Sequence, residues 1–360
     1  MSMRLAPALL VAATAACAPA LASHQESVSP LRHLTRDQRV DAIRRAEVWK
    51  ATPVASMDLR AGPQGDGAYP PFASVTCDYV DEKPSGASAK FDCAVAPGDV
   101  VKVKYGKENV EVYAEVAATR LLWALGFGSD RWYPVTVVCR GCPSDPHHDR
   151  SQRLNQVIFD VAAIERKMPG KTMEAKPDEG WRWSELDLVS EASGADQRMQ
   201  RDALKLLAVF LQHTDSKPVQ QRLICLPHES PSDGSEACRE PFLLIHDIGL
   251  TFGRANLRNA NDASGANFDR WAAIPIWKDS KKCVGKLSGS FTGTLADPVI
   301  SEPGRKFLSD LLAQLSDDQL RDLFEIARFP LHSNVPTSQW VELFKKKRQE
   351  IADATCPSSN

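Results

Sequence analysis

HTDSKPVQQ occupies residues 213–221 and IHDIGLTFG residues 245–253. Asp215 follows an apolar helical run, and Asp247 follows the apolar strand-like run FLLI. A carboxylate at the end of a buried element needs a partner or a task, because an unpaired charge there is costly. How these two aspartates are read decides the fold, since between them lies a pair of apolar strand-like segments, Leu223 to Ile245, around a polar loop.

Outward from that pair, the two halves of the chain differ. Upstream, SVTCDYV (74–80), KFDCAVAPGDVVKVKYG (90–106), WYPVTVVC (132–139) and LNQVIFDVAAIER (154–166) carry β-branched residues and turn signals and predict strands. TRDQRVDAIRRAEVW (35–49) predicts a helix, with Thr35 and Gln38 in capping-box spacing. AEVAATRLLWALGFG (114–128) predicts another, with Val116, Thr119, Leu122 and Trp123 at helical spacing and Gly126 as its stop. Downstream, QRDALKLLAVFLQH (200–213) is amphipathic through Leu204, Leu207, Phe210 and Leu211. Three more helices close the chain: 304–315, 316–329 with Ser316 as N-cap, and 338–354. The Pro/Gly-rich, charged MPGKTMEAKPDEGWRW (168–183) separates the halves. The expectation is an α+β fold of two lobes, a strand-rich N-lobe and a helical C-lobe.

The first residues carry an export pattern. Arg4 precedes the apolar run LAPALLVAATAA, and ALA at 20–22 forms a cleavage site before Ser23. TAAC, ending at Cys17, offers a rival reading as a lipoprotein box, hence a lipid anchor at Cys17. The apolar run is too short for a membrane span of about 20 residues, and no transmembrane span is expected. The chain has nine cysteines; without Cys17, eight remain, an even number that in an exported protein implies disulfides. Eight cysteines allow about a hundred pairings. Sequence proximity favours Cys77–Cys93, Cys139–Cys142 and Cys225–Cys238, which leaves Cys283–Cys356. CRGC (139–142) with His147 and His148 has an alternative reading as a zinc site. A net charge of −2 gives no electrostatic footprint for nucleic acid, and KKKR (345–348) reads as a solvated helix face.

Phosphoryl transfer needs a phosphate-neutralising lysine on a strand, a glutamate on the next helix to hold it, a positioning aspartate and a metal-binding aspartate. The chain offers each in that order. Lys102 and Lys104 share one face of VVKVKYG, because strand side chains alternate; Glu115 opens the following helix, and Asp215 and Asp247 come later. Each part has a plain structural explanation when taken alone: solvent-facing lysines, a helix-dipole glutamate, a helix end, a β-turn. Their joint occurrence in order is the specific signal. Of the tryptophans, Trp181 and Trp183 lie where they could flank a nucleotide, whereas the others read as packing residues. Strand parity points His246 away from Asp247 and favours a core or surface role for it.

These motifs resemble those of the protein-kinase-like superfamily in its divergent branches: the HipA toxin kinases, the phosphatidylinositol kinases and the secretory-pathway kinases. Against the pattern H-R-D-x-K-x-x-N, HTDSKPVQQ supplies His213, Asp215 and Lys217 at the same offsets, with Gln220 at the asparagine position. KFDCAV, VKVKYGKENVEVYAEVAATRLLWALGF, HTDSKPVQQ and HDIGLTFG together resemble a group of exported bacterial proteins over roughly residues 60–330. The resemblance implies a bilobal, disulfide-stabilised kinase-like fold and an exported, periplasmic or secreted phosphotransferase that uses ATP and Mg²⁺ or Mn²⁺. It gives Asp215 and Lys217 to catalysis, Lys104 or Lys102 to the phosphates, Glu115 to the lysine, and Asp247 with Gln220 to the metal. The acceptor it implies is a protein or small-molecule hydroxyl, and the parsing is 1–22 signal peptide, 23–56 helical extension, 57–180 N-lobe and 181–360 C-lobe. Two departures stand out: Gln220 for asparagine, and RAGPQGDGAYPPF (60–72), which has glycines but not G-x-G-x-x-G. They favour, as rival, a kinase-like binding protein of the cell envelope without turnover, using the cleft or the Asn-rich segment 254–268. A third reading is nucleotidyl transfer.

Overall fold

A computed structural model describes residues 34–82, 85–173, 180–189, 197–227, 238, 240–253, 265–287 and 293–357. The export pattern with Cys17, and most of the Asn-rich segment, lie outside the described residues.

The fold mixes α and β. It begins with α1 (Arg36–Arg44), whose capping box at Thr35 forms as its spacing predicts. A closed barrel follows from β1 (Ser74–Val80), β2 (Lys90–Ala96), β3 (Asp99–Tyr105), β5 (Arg131–Arg140) and β6 (Gln156–Arg166), in the order β1-β2-β3-β6-β5. β1 and β5 close it in parallel, with Cys77 opposite Cys139. Alternation fills the barrel with Val101, Val103, Tyr105, Tyr133, Val135, Val137, Phe91 and Phe159.

Between β3 and β5 run α2 (Glu111–Ala124) and the short β4 (Gly128–Ser129). α2 begins three residues before the expected start at Ala114, so Glu115 sits in its second turn and Glu111 in its first. Nearly every α2 side chain is buried, Trp123 alone being half-buried, so the helix has no solvent face. It is wedged between the barrel and the larger core. Buried Arg120 holds it there, donating to the Leu59 and Trp132 carbonyls at 3.1 and 2.6 Å. Gly126, with φ +85°, ends it as expected.

β7 (Lys171–Thr172), β8 (Gln221–Cys225) and β9 (Phe242–Ile245) join β4 in a four-stranded sheet, order β4-β9-β8-β7. Part of the stretch expected to separate the halves is therefore a strand. α3 (Gln197–Leu211), α4 (Phe268–Ala273), α5 (Glu302–Ala313), α6 (Asp317–Ile326), α7 (Phe329–Ser333) and α8 (Thr337–Ala352), with the hairpin β10 (Trp277–Asp279) and β11 (Val284–Gly285), build the second half. Their apolar faces meet α1 and α2 in one large core. Four disulfides join Cys77–Cys93, Cys139–Cys142, Cys225–Cys238 and Cys283–Cys356. The pairing is the one proximity favours, and it removes the zinc reading of CRGC with His147 and His148. His148 instead binds Asp145 at 2.9 Å, and His147 packs edge-on against it. Among the described residues no helix is long and apolar enough to cross a membrane.

Candidate active site

Alternation on β3 turns Val101, Val103 and Tyr105 inward and Lys102 and Lys104 outward. Because α2 packs on that outer face, Lys104 is only 2% exposed. Burying an ammonium is costly without partners, and Lys104 has three. Its Nζ lies 2.5 Å from Glu111 Oε2, 2.6 Å from Glu115 Oε1 and 3.6 Å from Asp247 Oδ1. The Trp132 ring lies 4.9 Å from it. Glu111 and Glu115 are one helical turn apart and so share a face. Burial would lower the Lys104 pKa, but Asp247, Glu111 and Glu115 outweigh it and hold it well above its ordinary value.

Asp247 follows β9, tied down by backbone bonds from His246 and Asp247 N–H to the Gln220 carbonyl at 2.8 and 3.3 Å. Gly249 permits the close pass that follows: a Cβ there would stand 2.8 Å from Glu111 Cβ and 2.9 Å from Glu115 Oε1. Burial pushes Glu115 well above the carboxylate range, only partly offset by Lys104. Burial also pushes Asp247 up, but Lys104 and a hydrogen bond with Glu115 hold it far below that range. Two carboxyl groups that hydrogen-bond to each other share a proton, as Glu115 and Asp247 do here. Oxygens of Glu111, Glu115 and Asp247 all lie within 4.8 Å of one another.

The Asp215 loop forms the next layer. α3 ends at Gln212, with φ +58°, and His213 N–H donates back to the Ala208 carbonyl. Asp215 is buried; Gln220 Nε2 donates to its Oδ2 at 2.7 Å, and Lys217 Nζ stands 3.2 Å from its Oδ1. Gln220 Oε1 in turn accepts from Lys217 N–H at 3.0 Å, so both ends of the amide are engaged within the loop. His213 is buried with neither ring nitrogen bonded, and burial lowers its pKa to about 4.

Sequence reasoning and structure part in several places. Lys102 does not approach Glu115; its Nζ pairs with buried Glu165 Oε2 at 2.8 Å. His246 is neither a core nor a surface residue. It joins that second cluster, 2.9 Å from Asp130 Oδ2, 3.5 Å from Glu165 Oε1 and 3.1 Å from Lys167 Nζ. Trp181 and Trp183 are both about 1% exposed and pack edge-on in the large core; Trp183 borders a pocket with Ser184, Asp187 and Asp202, one that none of Lys104, Asp215 and Asp247 lines. RAGPQGDGAYPPF precedes β1 and lies on Arg120 and Arg166 through Gly62 and Gly67. The β1–β2 turn lies elsewhere: Gly86, with φ +91°, sits over Lys90, whose Nζ donates to Ser88 Oγ at 3.3 Å. Buried Lys90 pairs across the ladder with Lys104. The reading of the sequence missed Glu111, although its i, i+4 spacing to Glu115 was visible. It also missed Lys90, Asp130, Glu165 and Lys167.

The described site thus unites a buried lysine, three carboxyl groups and, one loop away, an aspartate–lysine–glutamine set. No protein-family model matches the chain, and no curated protein does. A solved structure it resembles is that of the Helicobacter pylori proinflammatory kinase CtkA, with 10% identity over 79% of this chain and 95% of that one, at a TM-score of 0.39. Likeness that slight leaves the chemistry to be argued from the residues themselves.

Proposed function

We propose that the protein is a metal-dependent phosphotransferase on a bilobal kinase-like fold, using ATP with Mg²⁺ or Mn²⁺ and a protein or small-molecule hydroxyl as acceptor. The observation that carries this reading is Lys104, buried and held by Glu115 at 2.6 Å while facing Asp247 at 3.6 Å. A buried ammonium beside an ionised carboxylate matches what phosphates and their metal need. The Asp247 side chain is 37% exposed, which leaves it open to a ligand. Hard divalent cations take carboxylate oxygens, and Asp247 with Glu111 would hold one. Such an ion would neutralise the phosphates, and Lys104 would orient them. Asp215 would accept the acceptor hydroxyl proton, with Lys217 beside the transferred group.

Four disulfides support maturation in an oxidising compartment, hence an exported, periplasmic or secreted protein with residues 1–22 as signal. The second reading is a nucleotide-binding envelope protein without turnover. Gln220 favours it, because its amide nitrogen faces Asp215 and its oxygen is spent on Lys217 N–H.

Calorimetry of the oxidised protein with ATP and Mg²⁺ or Mn²⁺ tests the site. We expect metal-dependent binding that Asp247→Asn abolishes, and an enthalpy that varies with buffer ionisation as the proton shared by Glu115 and Asp247 leaves. No binding by folded wild-type protein with either metal would end the phosphotransfer reading. Asp215→Ala separates the two readings: it should retain binding but lose phosphate transfer to an added hydroxyl acceptor, and unchanged transfer would remove Asp215 from catalysis.

A further inference from the structure

The barrel brings two disulfides into contact. Cys77 faces Cys139 across the β1–β5 ladder, and Cys93 lies on β2 beside them. Cys93 Sγ and Cys139 Sγ, which belong to different disulfides, stand 3.7 Å apart. The sulfurs of Cys77, Cys93 and Cys139 all lie within 4.8 Å of one another. Cys142, bonded to Cys139, completes a C-x-x-C turn around Gly141, whose φ of +64° folds the chain back. All four cysteines are at most 1% exposed.

A tetrahedral zinc thiolate site has Zn–S bonds of about 2.3 Å, which set its sulfur–sulfur edges at about 3.8 Å. The Cys93–Cys139 contact already has that length. Opening the two disulfides to van der Waals distance supplies two more edges, Cys77–Cys93 and Cys139–Cys142; Cys77 and Cys139 are already within 4.8 Å, and the Cys142 side chain must swing toward Cys77 and Cys93 to close the set. A C-x-x-C turn with two strand cysteines is a closed, four-sulfur donor set of the kind structural zinc takes. The ligands that CRGC lacked are thus Cys77 and Cys93, not His147 and His148. Charge around the site is favourable as well. Arg140 follows Cys139, and Arg153 donates to the Gly141 carbonyl at 3.2 Å, which sets two arginines beside a centre that would carry excess negative charge.

We propose that Cys77, Cys93, Cys139 and Cys142 form a zinc-binding tetrathiolate site whenever the barrel folds in the reduced state, and that oxidation exchanges this zinc for the two disulfides. In the reducing direction, two molecules of a dithiol each give two electrons and two protons to one disulfide and leave as their own cyclic disulfides. The four thiols then release four protons as they bind Zn²⁺. In the oxidising direction a disulfide oxidant takes the four electrons, and the ion departs. Metal or disulfide thus staples the same three strands, according to the compartment in which the chain folds.

The test uses the full-length chain refolded with a phosphine reductant, with Co²⁺ and Zn²⁺ as probes. One Co²⁺ should bind per chain with the absorption of tetrahedral thiolate coordination, and Zn²⁺ should displace it. Native mass spectrometry should show a gain of one zinc less four protons. Cys93→Ser and Cys142→Ser should each weaken binding roughly a hundredfold, the share of one ligand in four. Cys225→Ser should leave it unchanged. Oxidised protein should bind none at this site and should release its metal as thiols are lost. The proposal is overturned if the reduced chain neither binds Co²⁺ nor refolds with it, if Cys93→Ser binds as tightly as the wild type, or if Cys225→Ser weakens binding equally.

Discussion

Two lysines on one strand, two residues apart, meet opposite fates. Around Lys104 stand three carboxyl groups, Glu111, Glu115 and Asp247, against a single contacting ammonium. Around Lys102 stand two, Glu165 and, through Lys167 and His246, Asp130, against two ammonium groups. The second cluster balances itself. The first does not, and two of its carboxyl groups, Glu115 and Asp247, share a proton. A surplus of carboxylate in a dry pocket is the condition under which a cation is gained rather than repelled. The two clusters therefore differ in charge balance, although both are lysine–carboxylate clusters with a potential metal-ligand set, and Lys102, Glu165 and Lys167 of the second also line an open pocket.

The largest break in this comparison should come from Lys104→Met. It leaves Glu111 and Glu115 buried with no counter-ion, at a cost of about 3–5 kcal/mol, and it should remove ATP binding altogether. Urea unfolding checks the first effect and calorimetry the second. A loss below roughly 1 kcal/mol, the scale of an exposed pair, would show that the cluster is not dry.

The clusters should also respond to pH with opposite signs. Burial would raise Glu165, but Lys102 and Lys167 hold it well below its ordinary 4.5. The unfolded chain takes that proton near pH 4.5 and the folded chain only further down, so the stabilisation is present above 4.5 and fades as pH falls. Glu115, raised by burial above 4.5, does the reverse: the folded state keeps its proton after the unfolded state has lost it, so stability declines as pH climbs from 4.5 through the folded value. Urea midpoints across pH should therefore lose acid sensitivity in Glu165→Gln and lose the decline above 4.5 in Glu115→Gln. Parallel profiles for the two variants would contradict the assignment.

How much of this was legible in the sequence follows from distance along the chain. The helices with clear apolar stripes, the strands of the first half and three of the disulfides rest on local spacing, and the structure has them; Cys283–Cys356, 73 residues apart, followed only as the remaining pair. Lys104 with Glu115 was readable as a strand followed by a helix. Glu111 was readable too, as the i, i+4 partner of Glu115, but an acidic residue at a helix start has a simpler explanation in the helix dipole. The Lys102–Glu165 pair was not readable, because it depends on β3 pairing with β6 across an intervening helix and two strands. The Cys93–Cys139 contact depends likewise on the parallel closure of β1 on β5. RAGPQGDGAYPPF misled because its glycines serve close packing on Arg120 and Arg166, not a phosphate. Trp181 and Trp183 misled because nearness to a boundary in sequence says nothing of burial.

The smallest effect sharpens the comparison most. Lys102→Met removes one of two cations from Glu165, and Lys167 remains 3.0 Å away on the same oxygen. Lys102 is itself 28% exposed along its side chain, so its pair is partly screened. The expected loss is about 1 kcal/mol, with ATP affinity changed by less than about threefold, since half a kcal/mol is all that a screened charge should lend to a neighbouring site. If Lys102→Met instead matched Lys104→Met in both readouts, charge balance would not be what separates the clusters, and the phosphate end of the site would have to be shared between the two lysines.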